Sequence, residues 1–220
     1  MNERLQDRIF AGLGIASVVL MLAGVGIGTI GHNRNLTISS TPAEIADALA
    51  KPAGIAMWIG AYIELLSFGC FLAFAVWACA KLGGGLLGQI ARAAATGYAT
   101  LSIASLGVMD ALAYRSGKGI GVQLASAFVT VNEALYVCTW FLAVFFLLAV
   151  APLALAAGRR ALGRSAIAIA VLQLITTAVS VDNLGQLSFG LWVLWIAYAS
   201  VSLARDKRGR ARATAIAQSA

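Results

Sequence analysis

Apolar residues along this chain gather into long runs separated by short polar breaks, rather than into the two-residue alternation of strands or the narrow stripes of soluble helices. The runs cover about residues 9–30, 53–82, 89–114, 119–157, 165–181 and 186–204. A hydrocarbon core about 30 Å thick needs about 20 helical residues at about 1.5 Å each. The pattern therefore predicts an all-α fold: one polytopic transmembrane bundle of six spans over residues 1–204, followed by a basic tail over 205–220. The fourth run is the longest, and Glu133 is its single formal charge.

The local chemistry of each run adds detail. The first follows Arg4 and Arg8; it is longer than the apolar region of a secretory signal and has no clear small-x-small cleavage site before His32, so it reads as a retained span. Gly24 and Gly28 on it form a small-xxx-small step that would admit a neighbouring helix closely. After it, Thr41-Pro42-Ala43-Glu44 has the form of a capping box, with a hydroxyl at N-cap, proline at N1 and a carboxylate at N3. A short helix over about 42–51 is expected there, lying along the bilayer surface on Ile45, Ala48 and Leu49. The third run is crowded with small and hydroxyl residues, Gly97, Thr100, Ser102, Ser105 and Gly107 among them, which predicts a central, closely packed helix. Pro152 is placed to kink the fourth.

Composition supports the same class: 60% of residues are apolar, 11% are charged, and the mean hydropathy is +0.87. The net charge of +7 comes from basic residues clustered at the ends of apolar runs, a matter of membrane orientation rather than nucleic-acid binding. With six spans, twelve of the sixteen Lys and Arg residues share the side of the amino terminus, and only Arg34, Lys51, Arg115 and Lys118 fall on the other. Both termini are accordingly expected in the cytoplasm, with the tail drawn to anionic lipids. Cys70, Cys79 and Cys138 lie within apolar runs and read as packing residues. His32 is the only histidine, which excludes haem or zinc sites built on several; no metal or cofactor is expected. No intramembrane lysine is available for a retinal Schiff base. Trp58, Trp77, Trp140, Trp192 and Trp195 read as interfacial belts and packing.

What chemistry remains is acidic. Glu64 and Glu133 fall within spans, and Asp110 and Asp182 stand near the outer ends of the third and fifth. A carboxylate facing lipid costs several kcal/mol, so each buried acid must face protein or water, pair, or stay protonated. Asn132 beside Glu133 and Tyr136 one turn later would furnish a polar pocket. Three readings stay open: an outward-facing acidic cavity that binds or passes a cation, a proton-coupled solute or an amphiphile; a membrane enzyme acting on a lipid or isoprenoid with Glu64 and Glu133 as acid and base; and an accessory subunit with structural carboxylates. No nucleophile, metal motif or phosphate loop accompanies the acids, which favours the first.

The segment TPAEIADAL after the first span, the long fourth span and the span–GRRALGR–span hairpin resemble a broad group of six-span bacterial integral membrane proteins of unknown function. The resemblance implies residence in a bacterial cytoplasmic membrane, with the lipid bilayer as partner, and leaves a homo-oligomer or a membrane partner open. It brings no activity and no catalytic residue with it.

Overall fold

A computed structural model describes residues 3–31, 36–37, 39–179 and 182–205; side chains are described within these spans except at residues 30, 31, 178, 179 and 182–186. His32, Arg34 and most of the basic tail lie outside the described residues. Seven helices form: α1 (Glu3–Gly31), α2 (Pro42–Leu49), α3 (Ile55–Leu82), α4 (Gly85–Arg115), α5 (Val122–Ala156), α6 (Arg160–Val179) and α7 (Asp182–Ala204), and no strand occurs among the described residues. Four of them, α1, α3, α5 and α7, are long and apolar enough to cross a membrane and mark a multi-pass membrane protein. The expected six spans include α4 and α6, which fall short of that measure. Alanine, glycine, hydroxyl residues, Arg92 and Asp110 dilute α4, whereas α6 has only 20 residues and opens with Arg160 and Arg164.

The six long helices close into a ring. Each packs on its neighbour in sequence, α3 on α4, α4 on α5, α5 on α6 and α6 on α7, and α1 shuts the circle by packing on both α3 and α7. Tight connections impose this order. Gly83 and Gly84 reverse the chain between α3 and α4, with Gly83 at φ 122° and Gly85 at φ 74°, values that side-chain-bearing residues adopt poorly. Ala157, Gly158 and Arg159 turn α5 into α6, and Arg159 extends its guanidinium 2.6 Å to the carbonyl oxygen of Ser202. That carbonyl belongs to the last turn of α7, so the corner of one hairpin caps the end of the neighbouring helix.

The most intimate contact is between α1 and α3. Asp7 accepts from the indole N–H of Trp77 at 3.2 Å and pairs with Lys81 at 2.8 Å, while the Phe10 ring stacks on Trp77. Farther along, Gly14 meets Phe74, Gly24 meets Glu64, and Gly28 meets Gly60. Residue numbers in these pairs add to a near-constant value, the mark of two straight antiparallel helices in one unbroken register. The buried positions Gly14, Ser17, Met21, Gly24 and Gly28 recur at alternate steps of three and four, as in a coiled-coil seam. Glycine lets the backbones touch: a Cβ at Gly60 would lie 2.5 Å from the Gly28 nitrogen and 2.6 Å from the Gly24 carbonyl oxygen.

Where the ring would otherwise be hollow, aromatic side chains fill it. The Phe71 ring centroid lies 5.1 Å from that of Tyr98, 5.9 Å from Phe146 and 5.7 Å from Trp192, and Trp192 stacks on Trp195 at 6.0 Å. Trp192 also donates its N–H to the Tyr98 hydroxyl at 3.3 Å. Four helices thus contribute to one plug. Tryptophans expected as interfacial belts divide accordingly: Trp192 and Trp195 are core, Trp77 and Trp140 are buried at seams, and Trp58 is exposed. The expectation that the third run forms the centre of the bundle is corrected too. Helix α4 is one member of the ring; Ala91, Ala95 and Tyr98 face inward, but nothing lies within 4 Å of a Cβ at Gly107. Its small residues serve the two flanking seams, as where Gly97 admits Leu142 of α5.

These contacts separate two glycines on one helix pair. Gly60→Ala should lower the melting temperature in detergent, because overpacking a close helix contact costs about 1–3 kcal/mol. Gly26→Ala, where a Cβ meets nothing within 4 Å, should leave it unchanged or raise it slightly through helix propensity. Equal losses at both positions would contradict the seam.

Candidate functional site

The inward faces of the ring change character along its length. Take the end that carries Lys81, Arg92, Arg159, Arg160 and Arg164 as the basic end. The plug residues Phe71, Tyr98, Phe146 and Trp192 stand ten to thirteen residues from that end of their helices, about 15–20 Å at about 1.5 Å per residue. Beyond the plug, toward the end where α2 lies, polar side chains join the buried set: Ser67 and Glu64 on α3, Ser102 on α4, Thr139 on α5, Thr176 on α6 and Ser188 on α7 stand among apolar residues such as Ala61, Phe68 and Leu112, while Ser200 is buried on the basic side. Several hydroxyls satisfy themselves on their own helix, Ser67 on the Glu64 carbonyl at 2.6 Å and Thr139 on that of Leu135 at 2.8 Å. Their lone pairs still make this half of the interior hospitable to polar groups.

Among the acids whose side chains are described, Glu64 is the most deeply set. It is 9% exposed, on the α3 face that meets α1, and about 27 Å along α3 from the basic end. Gly24 makes room for it: a Cβ there would lie 2.6 Å from Glu64 Cγ and 2.8 Å from its backbone nitrogen. The two sequence features read separately, a glycine step on the first span and an acid on the second, are one structural unit.

The remaining candidates occupy other places. Asn132 accepts a hydrogen bond from Ser105 at 2.6 Å, tying α5 to α4. Glu133 beside it is partly exposed, about 35 Å from the basic end of α5. Tyr136 is 47% exposed and lies edge-on to Trp140 with centroids 5.6 Å apart, so its ring belongs to the outer surface of the ring of helices. Asp110 is partly buried near the far end of α4, and the Asp182 side chain lies outside the described residues. Helices α3 and α5 meet across the ring at Phe71 and Phe146. From that crossing Glu64 is seven residues outward and Glu133 thirteen, a difference in height of about 9 Å. Glu64 belongs to the α1–α3 seam and Glu133 to the projecting part of α5.

Over the polar end sits α2. Thr41 caps it as the sequence indicates: its hydroxyl accepts from the Glu44 N–H at 3.3 Å, and the Glu44 carboxylate accepts from the Thr41 N–H at 2.7 Å. These bonds, the backbone one foremost, hold the Glu44 carboxyl below the usual carboxylate range. Ile45 and Leu49 are buried against Leu112 of α4 and Ala125 and Val129 of α5, together with Leu36. The amphipathic helix therefore rests on protein, where the sequence suggested the bilayer surface. The Leu49 carbonyl accepts from the Gly117 N–H at 2.8 Å, fixing α2 to the loop between α4 and α5. A cavity of about 270 Å³ lies between them, lined by Leu49, Ala50, Gly117, Gly119, Ile120 and Val122 among others, and Glu64, Asp110 and Glu133 are not part of its lining.

Two features escaped the sequence reading: the hydrogen bond from Trp192 to Tyr98 across the plug, and the fully buried Gln173 of α6. Gln173 was visible in principle: Leu162, Ala166, Ile169, Gln173 and Thr176 recur at helical spacing, and one amide interrupts an otherwise apolar inner stripe.

The docking of α2 has a definite pH dependence. Because the folded Glu44 carboxyl titrates below its unfolded counterpart, its contribution is complete above the unfolded value, about 4.3, and is lost as pH falls through the folded one. A nitroxide at the exposed Asp47 should stay immobile in the wild type until the pH drops below about 4, whereas Thr41→Ala should mobilise it at neutral pH. An unchanged spectrum in Thr41→Ala, or loosening of the wild type already at pH 6, would contradict this.

No family model, curated protein or solved structure matches this chain.

Proposed function

We propose that this protein is a six-span membrane protein of a bacterial cytoplasmic membrane, with both termini in the cytoplasm, that binds a cation or a proton-coupled solute in the outward half of its helix ring. The observation that carries the reading is Glu64, a carboxyl group buried at the seam of α1 and α3 on the polar side of an aromatic plug. Supporting it, twelve of sixteen basic residues belong to the side assigned to the cytoplasm. Counting α4 and α6 as spans follows from their places in the ring: each is flanked by two helices, so their less apolar faces need not all meet lipid.

On this reading the plug separates a polar outer chamber from the basic face, and the protein binds its solute from outside. Glu64 is the group whose protonation is exchanged against a bound cation. Glu133 and Asp110, nearer the outer boundary, raise the local concentration of cations there.

Purified protein in nanodiscs, titrated with a lipophilic organic cation such as tetraphenylphosphonium while the buried tryptophans report by fluorescence, tests the reading. Wild-type affinity should rise about tenfold per pH unit on the acid side of the Glu64 transition and level off above it. Glu64→Gln should fold and bind weakly at every pH. Binding that is absent in the wild type, or equally pH-dependent in Glu64→Gln, would refute the proposal.

A further inference from the structure

Gln173 lies on the inner stripe of α6, fully buried, and neither its side-chain oxygen nor its nitrogen has a hydrogen-bond partner among the described residues. An amide stranded in this way is strongly unfavourable in an apolar interior, and buried polar groups in folded proteins are as a rule satisfied. Its surroundings are polar on one side. One turn along α6, Thr176 donates to the Gln173 backbone carbonyl at 3.0 Å, and its oxygen lies 3.2 Å from the Ser188 hydroxyl of α7. Since the Thr176 proton is used on the carbonyl, Ser188 supplies the proton between the two hydroxyls. The Ser188 oxygen thereby keeps its own lone pairs for a further donor.

We infer that Gln173 and Ser188 hold an internal water molecule between α6 and α7. The ligand must both donate and accept, because the amide presents a donor and an acceptor side by side. A metal cation would satisfy the oxygen and leave the N–H groups unpaired, so it fits less well. One water serves both amide atoms: its lone pair takes one amide N–H, one O–H returns to the amide oxygen, and the other O–H goes to Ser188. Three bonds are about what a buried water makes. The site is independent of the solute proposed above. It places hydration beside Trp192, which follows Ser188 by one turn on the same face of α7 and is itself fully buried.

Hydroxyl-radical footprinting by X-ray radiolysis reads this directly, because water bound inside a protein is split in place and oxidises the side chain next to it. In the wild-type protein the segment from Leu187 to Trp195 should be oxidised at Trp192, although bulk radicals cannot reach a fully buried ring. Gln173→Leu should reduce that oxidation at least fivefold; if this variant fails to fold, Gln173→Met takes its place with the same expectation. An unmarked Trp192 in the wild type, or equal oxidation in wild type and variant, would overturn the inference.

Discussion

The contact on which this architecture depends is the backbone-to-backbone approach of α1 and α3 through Gly24, Gly28 and Gly60. In lipid there is no hydrophobic force between helices, so association rests on packing and on hydrogen bonds. Removing three side chains from one seam brings two long helices together over most of their length. Helix α1 has no neighbour next to it in sequence among the long helices except α3, and its second contact, with α7, closes the ring. Pry α1 away and the circle opens, with Glu64 on the exposed edge.

That dependence explains why a carboxyl group can occupy the seam. Had Gly24 been any larger residue, its Cβ would overlap the Glu64 side chain and backbone. The same glycine that permits close packing therefore permits the acid, and the acid's environment is set by how tightly the seam is closed. Fold and proposed chemistry meet at one pair of residues. The aromatic plug supplies the other half of the account: Phe71, Tyr98, Phe146 and Trp192 come from four helices and fill the ring at one level, with Glu64, Ser67, Ser102, Thr139, Thr176 and Ser188 on its far side.

Sequence reasoning reached some of this and stopped at a physical boundary. Local features were legible because they depend on near neighbours: the Thr41 capping box, the long apolar runs, and the tolerance of Gly24 and Gly28 for a close partner. Which helix would be that partner was not, since the pairing of Gly24 with Glu64 appears only once two helices are in register. For the same reason the third run was misplaced at the centre, where its small residues announce a tight contact without saying that the contact lies to either side. The acids were picked out by their charge, but charge alone cannot tell a buried Glu64 from a partly exposed Glu133. Tyr136 illustrates the limit, being adjacent on the helix yet turned to the outer surface.

The division of the interior by the plug is the central claim, and accessibility along α4 measures it most directly. Ser102 stands one turn to the polar side of Tyr98 and Ala95 about one turn to the basic side, both buried. In a cysteine-free background, a small hydrophilic methanethiosulfonate added outside intact cells should modify Ser102→Cys, with modification blocked by a cation that occupies the chamber, and should leave Ala95→Cys untouched. Modification of Ala95→Cys from outside, or inertness of Ser102→Cys, would contradict the account.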